Sequence, residues 1–296
     1  MNLKKELLTL TRIKKPEWLR IERGEREEIK SIQHMLRELK LHTVCEESMC
    51  PNIGKCFTKK TATFLVMGDI CTRSCKFCDI KTGKPNELDP LEPNHIVDAV
   101  DKLKLKHVVI TSVTRDDLLD GGASHFATIT RKLKEYDSNL FIELLIPDFR
   151  GNEDALKIVL KEKPTIINHN IEVVPRLFPK VTPQADYTLS LNLLRNVKKF
   201  DSTIFTKSGI MLGLGETKDE ILGVLHDLRD VDCDMITIGQ YLKPPTSKLE
   251  IEEYIEPKFF EELEQLCYTL GFKYVNSAPF VRSSYNADAF FKSHSN

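Results

Sequence analysis

From residue 61 onward, short apolar runs alternate with amphipathic stretches. The runs ATFLVM (62–67), HVVITS (107–112), LFIELLI (140–146), TIINHN (165–170), GIMLGL (209–214) and DMITIG (234–239) are rich in β-branched residues and too short for helices, so they predict strands. Between them, NHIVDAVDKLK places Ile96, Val97, Val100 and Leu103 on one face, and ASHFATITRKLKEY repeats Phe126, Ile129, Leu133 and Tyr136. Both have the helical period. NEDALKIVLKEK opens on Asn152, a good N-cap, and in TKDEILGVLHDLRD Thr217 and Glu220 form a capping box. PKFFEELEQLCYTLG runs from Pro257 to Gly271, the favoured residues at a helix start and end. Residues 1–60 are charged and carry one predicted helix, around EREEIKSIQHMLRELKL.

Six strand–helix units predict parallel strands joined by right-handed crossovers. Gly213-Leu214-Gly215 lacks the third glycine of a dinucleotide-binding loop and does not close a first strand–helix turn. The expected α/β architecture is a partial (β/α)6 barrel over residues 61–272, with an N-terminal extension (1–60) and a C-terminal segment (273–296). Parallel α/β folds bind ligands at the carboxyl ends of their strands. That directs attention to Cys71–Cys78, Ser112–Arg115, Pro147–Asp148, Asn170–Glu172, Gly213–Glu216 and Gln240–Tyr241.

With 296 residues, 41% hydrophobic and 29% charged, the chain is of ordinary globular composition. A net charge of −1 gives no reason to expect nucleic acid as a partner, and no apolar run approaches membrane-spanning length. The N-terminus lacks the apolar core of a secretory signal, and Glu6 counts against a mitochondrial transit peptide. The expected location is cytoplasmic, where clustered thiols stay reduced and bind metal more often than they pair.

Six of the eight cysteines fall into two triplets, Cys45-x4-Cys50-x5-Cys56 and Cys71-x3-Cys75-x2-Cys78. Cys233 and Cys267 lie in apolar contexts and read as small buried hydrophobes. The second triplet follows the first predicted strand directly. Three thiolates there suit a metal centre with one open position, although softness alone does not separate iron–sulfur from zinc.

This spacing resembles the signature of the radical S-adenosylmethionine enzymes, in which three cysteines hold a [4Fe-4S] cluster whose fourth iron is chelated by the cofactor. The resemblance implies reductive cleavage of S-adenosylmethionine to a 5′-deoxyadenosyl radical, with Phe77 near the adenine. Nearly the whole chain is similar to the lipoyl synthases, on KPEWLR, CPNIGKC, GDICTRSCKFC, TSVTRDDLLDGGA, NHNIEVVPRLFPKVTP, TKSGIMLGLGET, IGQYLKP and FVRSSYNAD. That likeness implies a second, auxiliary [4Fe-4S] cluster on Cys45, Cys50 and Cys56, closed by a serine of RSSY. It also implies insertion of the cluster's sulfur at C6 and C8 of an octanoyl chain on a lipoyl-carrier domain. An electron donor and an iron–sulfur cluster carrier would be further partners. Ser283 and Ser284 point to opposite sides of an extended stretch, so one of them reaches the iron; Ser284 is the choice, with Ser283 its rival.

Cofactor contacts are expected from Ser112, Glu143, Asn170, Arg195, Met211, Gly213 and Tyr241. Three have a plainer alternative: Glu143 could meet a buried arginine, Arg195 could sit in a helix-face salt bridge, and Met211 could be core. His169 reads as a satisfied core histidine. Ser48, Lys55, Asn286 and the histidine-free segment PPTSKLEIEEYIEP depart from the family pattern. None of these departures removes a cluster ligand. Two other readings stand beside this one: a two-cluster radical enzyme acting on a small molecule, and a non-catalytic electron-transfer or zinc-binding module.

Overall fold

The computed structural model describes residues 14–20, 26–48, 50–58 and 63–284. Its strands are β1 (His42–Thr43), β2 (Thr63–Val66), β3 (Ile70–Cys71), β4 (Lys81–Thr82), β5 (His107–Ser112), β6 (Phe141–Leu145), β7 (Ile166–Asn168), β8 (Phe205–Leu212), β9 (Met235–Gln240) and β10 (Tyr274–Ser277). The helices are α1 (Arg26–Glu38), α2 (Val44–Glu47), α3 (Ile53–Thr58), α4 (Glu92–Leu103), α5 (Ala123–Tyr136), α6 (Glu153–Lys161), α7 (Phe178–Val181), α8 (Tyr187–Phe200), α9 (Lys218–Asp230) and α10 (Pro257–Thr269).

One sheet runs β1-β2-β5-β6-β7-β8-β9-β10, with every neighbouring pair from β2 to β10 parallel and β1 antiparallel to β2. The six expected strands are present in the expected order, and their helices cover one side, which is the partial-barrel α/β fold. The sheet does not close, because β1 and β10 are its edges. β10 went unread: Tyr274, Val275, Asn276 and Ser277 are too few and too polar to stand out.

The helical faces formed as their periods require. Phe126, Ile129 and Leu133 of α5 are buried, whereas Tyr136 is 43% exposed and its hydroxyl donates to Asp101 instead. Asn152 caps α6 by accepting from the Asp154 and Ala155 N–H groups, and both arms of the Thr217–Glu220 capping box are made.

β8 begins at Phe205, ahead of the run that predicted it. Thr206, Lys207 and Ser208 look like loop residues but are buried, because Lys207 turns into the barrel and ion-pairs with Glu143 at 2.9 Å. β8 stops before Gly213, whose φ of 98° is left-handed. A Cβ there would come within 2.1 Å of Gln240 Nε2 and 2.5 Å of the Glu253 carbonyl. No helix among the described residues is long and apolar enough to cross a membrane.

Candidate active site

Cys71 ends β3, just beyond the carboxyl end of β2, and the loop that follows is tied down on several sides. The Lys76 N–H donates to the Val181 carbonyl at 2.8 Å, and the Ser74 N–H donates to Gln184 Oε1 at 2.7 Å. Cys71 Sγ accepts from the N–H groups of Arg73 (3.4 Å) and Thr114 (3.3 Å). Cys71, Cys75 and Cys78 line one cavity of about 350 Å³, together with Ile80, Thr82 and Ser247.

Burial pushes the Cys75 thiol up to about 12, helped by the negative charges of Cys78, Glu172 and Cys71. Burial likewise lifts Cys78 to about 11, against one N–H donor from Ile80. Three thiolates cannot share this hollow unless a cation stands among them, and a bound metal centre strips the protons that burial retains. Among the described residues no three His, Cys, Asp or Glu side chains form a site for a single metal ion. The thiols face a hollow with room for a larger group.

Arg73 anchors this loop. Its guanidinium is buried and grips Asp148 (2.6 and 2.6 Å) and Asp116 (2.8 and 2.9 Å), residues that follow β6 and β5. Burial opposes ionisation of both carboxyls, but the hydrogen bonds from Arg73 win and hold them below the usual carboxylate range. Across the hollow, the Ser247 hydroxyl donates to the Lys76 carbonyl at 2.6 Å and meets Tyr241 Oη at 3.0 Å.

The other triplet lies where the two ends of the chain meet. Thr43 caps the short α2, which carries Cys45. Cys50 donates its N–H to the Cys45 carbonyl, and Cys56 lies in α3. Burial drives Cys45 up to about 12, with Cys50 and Cys56 adding to the rise and the Thr63 N–H opposing it. Cys50 is raised by burial too, against the Asn52 N–H and the Arg282 charge. The segment after β10 crosses to this group from the far edge of the sheet. Asn52 Nδ2 donates to the Phe280 carbonyl at 2.7 Å, and Thr63 Oγ1 donates to Ser284 Oγ at 2.6 Å.

Asn170 bridges the two regions. Its Nδ2 donates to Ser283 Oγ at 2.6 Å and to Glu172 Oε1 at 3.1 Å. Burial lifts the Glu172 carboxyl to about 7 despite that bond, and its charge is felt by Cys75 and Cys78.

The expected cofactor contacts divide. Ser112 Oγ and Asn170 Oδ1, at the ends of β5 and β7, are buried without a hydrogen-bond partner, so each is open to a polar ligand. Phe77 and Met211 are half-buried against the core, Gly213 stands at the end of β8, and Tyr241 supports the Ser247 contact. Glu143 and Arg195 lie outside the group. Glu143 is spent on Lys207, Asn168 and His107 inside the barrel, so the buried cation it meets is a lysine. Arg195 is exposed on α8 and bonds Asn192 of its own helix. His169 is buried and half-satisfied, with Nδ1 on the Ile146 carbonyl and Nε2 without a partner. Sequence reading missed the roles of Arg73, Thr63 and Ser247; only Arg73, inside the triplet, carried a signal. Asn286 lies outside the described residues.

Residues 65–228 match the model of the radical SAM superfamily. The lipoyl synthase of Caldicellulosiruptor saccharolyticus is 53% identical over 93% of this chain and 96% of its own, and that of Caldanaerobacter subterraneus subsp. tengcongensis is 52% identical over the same shares. The chain belongs to the lipoyl synthase family. The family places one [4Fe-4S] cluster and S-adenosylmethionine with this fold, and the Cys71–Cys78 hollow suits that cluster by its thiols and size. Among solved structures, HydG, a maturase of the [FeFe]-hydrogenase, superposes with a TM-score of 0.59 at 11% identity, covering 85% of this chain and 63% of HydG. SuiB of Streptococcus suis bound to S-adenosylmethionine gives 0.58 at 10% identity, over 77% and 53%. Those likenesses speak to the fold alone.

Proposed function

We propose that this chain converts octanoyl-lysine on a carrier protein into lipoyl-lysine by inserting sulfur at C6 and C8. Cys71, Cys75 and Cys78 hold the radical cluster, and Cys45, Cys50, Cys56 and Ser284 hold an auxiliary cluster that donates the sulfur. Bound there, the radical cluster and S-adenosylmethionine supply a 5′-deoxyadenosyl radical able to abstract hydrogen from unactivated carbon. The observation that carries the reading is the second triplet, which the radical chemistry does not need, joined to Ser284 through Thr63.

Ser112 Oγ and Asn170 Oδ1, both buried and unpaired, hold polar groups of S-adenosylmethionine. The loop carrying Ser247 and the stretch from β10 to Ser284 exclude water and other hydrogen donors from the radical. An oxygen ligand such as Ser284 suits iron in a thiolate site less well than sulfur does, which eases dismantling of the auxiliary cluster. No disulfide joins any of the eight cysteines, which fits work in a reducing compartment. An electron donor and an iron–sulfur cluster carrier complete the cycle.

The deciding experiment is anaerobic incubation of reconstituted protein, S-adenosylmethionine and a strong reductant with an octanoyl-lysine peptide, followed by mass spectrometry. A gain of two sulfurs with release of 5′-deoxyadenosine supports the reading. Nucleoside without sulfur gain points to another substrate, and neither product from protein carrying both clusters defeats it.

A further inference from the structure

Arg73 stands between Cys71 and Cys75, where a mobile guanidinium would lay its charge against the thiolates. It is held instead by both oxygens of Asp116 and both of Asp148. Arg150 completes the set, with Nε 3.1 Å from Asp116 Oδ1 and its N–H on Asp148 Oδ1 at 2.9 Å. The side chains of Arg73, Asp116 and Asp148 are 8%, 9% and 3% exposed, so solvent screens little of their charge. Two guanidinium groups and two carboxylates leave the set neutral.

The same set reaches a ligand sulfur. The Asp116 N–H donates to Thr72 Oγ1 at 3.1 Å, and Thr72 donates to the Thr114 carbonyl through its N–H (3.1 Å) and hydroxyl (2.9 Å). The N–H groups of Thr114 and Arg73 are the two that Cys71 Sγ accepts. Displacing Arg73 therefore disturbs both donors. Local net charge and hydrogen bonds to sulfur are what a protein uses to set an iron–sulfur potential.

We propose that Arg73 and Arg150 with Asp116 and Asp148 form a charge-balanced clamp that positions Cys71 Sγ and sets the reduction potential of the cluster on Cys71, Cys75 and Cys78. Arg73 is thus a positioning residue for the electron-transfer step. The inference rests on the reading of those three cysteines as the cluster's ligands. It does not depend on the identity of the substrate.

The test is an EPR-monitored redox titration of the reconstituted full chain, with the signal assigned by its response to S-adenosylmethionine. Asp148→Asn keeps the shape and leaves one net positive charge, which favours the reduced cluster. The reduced-to-oxidised ratio at a fixed poise should rise several-fold. Arg73→Gln leaves one net negative charge and should lower that ratio, and the double variant should return toward wild type. Asp116→Asn makes the same charge change if Asp148→Asn does not fold. In protein without clusters, hydrogen exchange of the backbone amides at positions 73 and 114 should quicken in Arg73→Gln. Single variants that shift the potential in the same direction, or leave it unmoved with the cluster intact, overturn the clamp. Wild-type protein that loads no cluster on these cysteines overturns the ligand assignment beneath it, which is a separable failure.

Discussion

Thr63 Oγ1 donates to Ser284 Oγ across 2.6 Å, and the N–H of the same threonine donates to the Cys45 thiol. One residue at the start of β2 therefore touches both the second cysteine triplet and Ser284. Ser283 faces elsewhere, toward Asn170. The two serines can be told apart by what each one loses.

Ser284→Ala should abolish sulfur gain by the octanoyl-lysine peptide and spare 5′-deoxyadenosine release. Ser283→Ala should cost about 1 kcal/mol of stability, the worth of one hydrogen bond, and keep both products. Quantifying peptide and nucleoside in the same reactions distinguishes them. The reverse pattern would move the ligand assignment to Ser283.

Cys50→Ala should behave like Ser284→Ala, whereas Cys75→Ala should eliminate both products. Iron content should fall to about half in each protein. Loss of nucleoside from folded Cys50→Ala would count against separate roles for the two triplets.

Lys207 and Glu143 form a buried pair, 2% and 0% exposed. Lys207→Met strands a buried carboxylate and should cost about 3–5 kcal/mol in urea denaturation. Adding Glu143→Gln should recover most of that loss, since no charge is then left unpaired. Equal stability of the single and double variants would refute a stranded charge.

Asp234 ties Lys198 (2.5 Å) and Lys273 (2.8 Å) to the amino end of β8 through the Thr206 N–H. Burial opposes its ionisation, but the two lysines prevail and hold its pKa below the ordinary value. The unfolded chain thus binds the proton more readily, so stability rises with pH across the window between the folded value and about 4. The contribution is complete above that window and is lost as pH falls through the folded value. Asp234→Asn should cost about 1.5–3 kcal/mol at pH 7 and flatten the acid limb of a plot of unfolding free energy against pH. An unchanged acid limb would assign acid lability to other carboxylates.

Gly213→Ala should lose about 1–3 kcal/mol from its left-handed backbone alone, and more from the collision with Gln240 and the Glu253 carbonyl. Thermal unfolding reads this directly.

Much of the barrel was legible in the chain because strands and helices report on themselves through short periods. HVVITS became β5 residue for residue, and ASHFATITRKLKEY became α5. The start of β8 was not legible, because Lys207 is buried by a partner 64 positions away. Glu143 was read correctly as a carboxylate in need of a partner, but a strand pattern cannot name a lysine two strands across the sheet.

The chemistry divides the same way. Residue type and spacing along one loop were enough to single out Cys71, Cys75 and Cys78 as one group, and they line one cavity because local chain geometry holds them together. The two triplets, the capping motifs and the order of the strands were likewise set by sequence alone. Tertiary structure decided what lies between distant segments: that Arg73 is clamped by Asp116 and Asp148, that Ser284 rather than Ser283 meets Thr63, and that Arg195 stays outside. Those contacts join residues brought near only when the sheet curls and the segment after β10 crosses its open side, and no periodicity along the chain encodes that distance.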